Sequence, residues 1–228
     1  AAAAALLAAT GRIAVGIGLM PVPLRTVALE AMEVATLARM FPGRLLPGFG
    51  HGVLEWMGQA GVRVASPLTL LREHLDALRP LLAGESVSRE GRYVQLDDVR
   101  LRWPPEAVPP LLVGAIRERS LALAGELGDG VILTEGADVD AARERIAAVR
   151  DARAAAGRDG EPEAVVFLSV AASASSAEIA AQIRALAAVG ATSVAVCLVE
   201  EVGGPPIGDE RLLAAVERVA AARELARR

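Results

Sequence analysis

Six times along the chain a short apolar run is followed by a longer stretch of helical periodicity, and this order limits the fold more than any single motif. The runs are "RIAVGIGL" (12–19), "RLLPGFG" (44–50), "PLLVGA" (110–115), "GVILTE" (130–135), "AVVFLSVAA" (164–172) and "SVAVCLV" (193–199). Helices are expected over 24–40, 67–82, 117–127, 138–156, 176–189 and 209–227, with a loop or short helix over 51–66. Strands that are apolar throughout belong to a parallel sheet covered on both faces and joined by right-handed crossovers. A hydrophobic fraction of 53% with only 3% aromatics suits such a core, built from Ala, Val, Leu and Ile.

Six strands fit an open doubly wound sheet, whereas a closed barrel of βα units has eight. The opening "AAAAALLAAT" favours the barrel, because a helix that feeds directly into a core strand reads as the end of an earlier unit. The expectation is therefore one domain over 1–228, a (β/α)8 TIM barrel with about six of its eight units in this chain. The two remaining units would take about 60 residues, at ~30 per unit. The helix at 67–82 starts at Ser66-Pro67 and carries Leu68, Leu71, Leu75, Leu78 and Leu82 along one stripe. Residues 84–108 interrupt the pattern, and their alternating valines around Glu90-Gly91 predict a hairpin-like insertion.

Missing residue types exclude whole chemistries. There is no lysine, so all 24 basic residues are arginine, and Schiff-base, pyridoxal and Walker-type phosphate chemistry is ruled out. One cysteine and two histidines cannot build a Cys/His zinc cluster or a disulfide, although a carboxylate-rich metal site stays open. No metal is expected. Cys197, inside an apolar strand, reads as a packing residue. A net charge of −4 spread along the helices offers no surface for nucleic acid or for a membrane. With no leader pattern and no 18-residue apolar span, a cytoplasmic location is expected.

Ligands of parallel α/β folds sit at the carboxyl ends of the strands, and three ends stand out. "VGIGLMPVP" (15–23) has Gly16 and Gly18 inside a strand, which suits either a flat ligand or a barrel interior that needs small residues. "GFGHGVLEWMGQAG" (48–61) sets His51 between Gly50 and Gly52, with Glu55 placed to orient the ring; a lone strand-end histidine serves a site or simple packing. His74, beside the leucine stripe, reads as structural or solvated. "VGAIRERS" (113–120) leads into a helix whose free amides, with Arg117 and Arg119 nearby, suit a phosphate. It lacks the Gly-x-Gly-x-x-Gly spacing of a dinucleotide fold.

Taken in order, "GRIAVGIGL", "PGRLLPGFGHGVLEWMGQAG", "LLAGESVSREGRYVQLDDVRL", "PPLLVGA" and "AGELGDGVI" resemble the bacterial luciferase-like flavin- and deazaflavin-dependent oxidoreductases over residues 1 to about 200. "GHGVLEWMGQAG" is most similar to the branch that uses coenzyme F-420. The resemblance implies an F-420-dependent hydride transfer to or from a small organic substrate, in a barrel that commonly forms a homodimer. It implies that the ring lies over the strand ends, backed by a non-proline cis bond at Gly18-Leu19 and bordered by the loop from Gly50 through His51 and Gly52 to Glu55. Gly114, Ala115, Ile116 and Arg117 would face the phosphate, and His51, with Glu55, would be the catalytic group. The competing expectations are an FMN-dependent monooxygenase, a non-catalytic flavin-binding protein and an unrelated phosphosugar-binding barrel.

Overall fold

The computed structural model describes residues 1–134, 138–200 and 209–227, with the side chains of 209–215 excepted. Helix α1 (Ala2–Ala9) leads into β1 (Val15–Pro21), a 3-10 turn at Val22–Leu24 and α2 (Val27–Met40). Next come β2 (Leu45–Gly50), α3 (Leu54–Gln59), α4 (Pro67–Leu82) and two short strands, β3 (Val87–Glu90) and β4 (Gln95–Val99). The chain continues through β5 (Leu112–Gly114), α5 (Glu118–Leu127), β6 (Gly130–Leu133) and α6 (Val139–Ala155). It ends with β7 (Glu163–Ala171), α7 (Ser176–Ala188), β8 (Ser193–Val199) and α8 (Asp209–Ala226).

All six expected core strands lie in one sheet, ordered β1-β2-β5-β6-β7-β8, and every neighbouring pair is parallel. The first strand sits later than its apolar run suggests and extends to Pro21, while the run at 110–115 forms only three ladder residues. The end of the run at 130–135 lies outside the described residues.

The sheet curls strongly. Three strands separate β1 from β7 in the sheet order, which would put them about 19 Å apart if the sheet were flat. Yet the Phe167 ring of β7 comes within 3.1 Å of where a Cβ on Gly18 of β1 would stand. The result is a half-barrel whose two edges, among the described residues, are β1 and β8.

At the amino ends of the strands an arginine-carboxylate cluster ties the layers together. Asp129, just before β6, accepts the Leu111 amide at 2.9 Å and one guanidinium nitrogen each from Arg79 and Arg158 at 2.8 Å. Two chain segments and the last turn of α4 are thereby fixed to one carboxylate. The insertion over 84–108 is an antiparallel hairpin of β3 and β4, as the alternation predicts. Its turn is tied back to α4, where Glu73 accepts the amides of Arg92, Tyr93 and Val94 at 2.9, 2.8 and 3.0 Å. Tyr93 Oη also accepts the Ser66 amide at 2.8 Å. Ser66 stands at the N-cap of α4, but its hydroxyl bonds to Thr69 Oγ1 instead of capping the helix.

Candidate functional site

Because the strands are parallel, the ends of β1, β2 and β5 meet on one side of the sheet. The β1-β2 register slips between Ile17 and Met20, and the peptide bond between Gly18 and Leu19 is cis. Beyond the slip, the Leu19 side chain reaches across the neighbouring strand ends. Its Cδ2 stands 2.7 Å from where a Cβ of Gly50 would be, and it also occupies the Cβ position of Gly114. The room left by these two glycines is thus filled by the Leu19 side chain, and their backbone is not left open to a planar ligand as the sequence suggests. Any side chain at residue 50 or 114 would evict Leu19. Gly52 is bound to glycine for a different reason, since its φ of 72° lies in the left-handed region.

His51 is half-buried on the loop that follows β2, and its Nδ1 lies 2.6 Å from the Gly52 carbonyl. A carbonyl only accepts, so Nδ1 carries a proton, while Nε2 has no hydrogen-bond partner among the described residues. The expected orienting role of Glu55 is not found. Glu55 is exposed on the first turn of α3 and makes no hydrogen bond to His51.

The start of α5 also differs from the expectation. The Ala115 amide is given to Ile132 O at 3.2 Å, and those of Ile116 and Arg117 go to Ser120 Oγ at 3.3 and 3.2 Å. The buried Ser120 hydroxyl in turn donates to Arg117 O at 2.7 Å. The amides expected to face a phosphate are therefore already occupied. Those of Glu118 and Arg119, one step further along, have no acceptor among the described residues and open the helix between two exposed guanidinium side chains, Arg117 and Arg119. The sequence signal for this was Ser120, whose hydroxyl reaches back over the helix start, as small polar residues do at helix amino ends.

These residues fit a phosphorylated planar group in two respects: a helix start with unused donors, and an imidazole with an unpartnered nitrogen on the adjoining loop. Among the described residues no group of three or more His, Cys, Asp or Glu side chains is placed to hold a metal ion, and no helix is long and apolar enough to cross a membrane. Cys197 is half-buried on β8, and burial pushes its thiol pKa up, as for a packing residue.

A curled parallel sheet of six strands, each followed by a helix, defines an α/β protein of the barrel-related kind. More particularly, the chain belongs to the luciferase-like monooxygenase family, whose family model matches residues 1–226. It is 29% identical over 176 residues to the 5,10-methylenetetrahydromethanopterin reductase of Methanolobus tindarius, covering 76% of this chain and 54% of that protein. It is 34% identical over 158 residues to the F420-dependent glucose-6-phosphate dehydrogenase of Kineococcus radiotolerans, covering 66% of this chain and 46% of that one. The chain thus spans about half the length of these relatives. In fold it matches the coenzyme F420-dependent tetrahydromethanopterin reductase of Methanopyrus kandleri, with a TM-score of 0.75 at 18% identity over 95% of this chain and 84% of that one.

Proposed function

We propose that this protein is an oxidoreductase that moves a hydride between coenzyme F-420 and a small organic molecule. The ring lies over Leu19 at the ends of β1, β2 and β5, and its phosphate lies at the start of α5. The observation that carries the reading is the pair of unused amides at Glu118 and Arg119, set between two arginines on the side of the sheet where His51 keeps Nε2 free. The relatives named above, two of them called F420-dependent, support the choice of coenzyme. The deazaflavin ring, when bound, supplies the hydride donor or acceptor, while the protein supplies binding and orientation. Gly50 and Gly114 contribute by letting Leu19 lie flat beneath the ring. His51, its tautomer held by the Gly52 carbonyl, takes a proton from a substrate hydroxyl through Nε2 or returns one to a carbonyl. Glu55 is assigned to the substrate side of the same loop. In this reading the six units belong to a (β/α)8 barrel, and two copies work as a homodimer in the cytoplasm.

Titration with F-420 and with FMN, each followed by fluorescence, tests the proposal. F-420 is expected to bind at least tenfold more tightly. Glu118→Pro removes one open amide at a helix position that tolerates proline, after an Arg117 whose φ of −103° and ψ of 154° suit a residue preceding proline. It is expected to weaken F-420 about tenfold, the size of one charge-assisted hydrogen bond, and to leave binding of the phosphate-free deazaflavin unchanged. Failure to bind F-420, or equal weakening of both ligands, overturns the assignment. Preference for FMN turns the reading to an FMN-dependent monooxygenase, and binding without turnover of any hydride acceptor turns it to a flavin-binding protein.

A further inference from the structure

We propose that the buried pair of Glu30 on α2 and His74 on α4 is a positioning device for the strand-end site: through Phe49 it sets where β2 ends and hence where His51 stands. His74 is 1% exposed and Glu30 0% exposed, and Nε2 of the ring lies 2.6 Å from the carboxylate Oε2. Among the described residues no in-line hydrogen bond supports the pair, at His74 Nε2 or at either Glu30 oxygen. Such a pair is a poor source of stability, because the cost of taking both groups out of water offsets their attraction, and a well-packed apolar pair in its place is often neutral or stabilising. What the pair adds is direction, which apolar packing lacks.

The path from the pair to the site is short. The His74 ring packs against that of Phe49, with centroids 6.4 Å apart and planes at 39°. Side chains alternate along β2, so Gly48 and Gly50 face the inside of the curl, where Ile132 and Leu19 stand, while Phe49, fully buried, faces the helices. Phe49 also lies where the sheet holds β2 by few rungs. Pairing with β1 resumes at Met20 with Phe49 after the register slip, and pairing with β5 consists of Gly48 with Leu112 and Phe49 with Val113. The end of β2 therefore leans on what stands behind Phe49. Gly50 and His51 follow directly, and the bond from His51 Nδ1 to the Gly52 carbonyl, at 2.6 Å, depends on the path of this segment. A shift of Phe49 carries the imidazole with it. The catalytic use of His51 rests on the function proposed above, whereas the mechanical link from α2 and α4 to its loop does not.

The test uses the whole chain and reads the imidazole nitrogens by NMR, at about pH 8.5, where a free imidazole is neutral. The chain has two histidines, so removing His74 leaves His51 as the single ring signal. In the parent, His51 is expected as one tautomer with its proton on Nδ1. In Glu30→Met with His74→Leu, Tm is expected to be no lower than in His74→Leu alone, which leaves a carboxylate buried without its partner. The His51 nitrogens of the double variant are expected to move towards the averaged positions of a free imidazole. A role in stability alone would lower Tm and leave the tautomer as it was. Should the double variant fail to fold, Phe49→Leu, which keeps the pair but removes the ring it bears on, is read in the same way. An unchanged His51 tautomer, or a double variant less stable than His74→Leu, overturns the proposal. Titration of the parent with F-420 decides the strand-end reading separately, because the ring signal needs no coenzyme.

Discussion

Glu73 shows how much one side chain can organise. Burial by itself would raise its pKa, but the three backbone amides of Tyr93, Val94 and Arg92, helped by the Arg89 charge, outweigh it and hold the carboxyl below its ordinary range. A depressed native pKa means stability that is fully present above the unfolded value of about 4.3 and is lost as the pH falls through the folded value. Glu73→Ala should therefore cost about 3 kcal/mol in urea unfolding at pH 7, from amides left without an acceptor. The gap between variant and parent should narrow at pH 3; a constant gap would show that packing, and not charge, holds the hairpin turn. Little of this was legible beforehand. A glutamate inside an amphipathic helix carries no mark of a partner about twenty residues downstream, and the same holds for Glu30, which pairs with His74 from another helix.

At the level of elements, the order of strands and helices was readable because period and length are local properties. The ends were less so. β1 runs to Pro21 because pairing with β2 continues past the register slip, which no local signal announces. The segment "AGELGDGVI", among the most telling for family resemblance, belongs not to the ligand side but to the opposite end, where Asp129 clamps Leu111, Arg79 and Arg158. Asp129→Ala is expected to destabilise the protein by about 2 kcal/mol, lowering Tm by about 4–8 °C, without changing F-420 affinity at the far end of the strands. A loss of affinity larger than the loss of stability would place the clamp in the site. The candidate site was legible as far as its loops: His51 and the start of α5 stand where the strand-end rule puts them. The identity of the open amides was not, because Ser120 and Ile132 claim the nearer ones through contacts set by the fold.

For the molecule as a whole, curvature was the property furthest from the sequence, since it emerges from twist summed over six strands and not from any one of them. The outer surface carries its own signal. Leu29, Met32 and Met40 stand 47%, 56% and 63% exposed on α2, an apolar stripe of the sort that marks a covered face. Size-exclusion chromatography with light scattering is expected to give twice the 23.5 kDa chain mass, and Met32→Glu with Met40→Glu to give the single mass; a parent protein that runs as one copy removes the proposed homodimer. The hairpin has a different consequence. Among the described residues its two strands pair only with each other, and its tip is moored to α4 by Glu73 and to the start of α4 by Tyr93. The strands are held as well, since Arg89 bonds to Asp76 of α4 at 3.0 Å and Val87 lies in the core, so evolutionary freedom is confined to the outward positions Ser88, Glu90, Gln95 and Asp97, where new recognition surfaces can be tried at little risk to the sheet beneath.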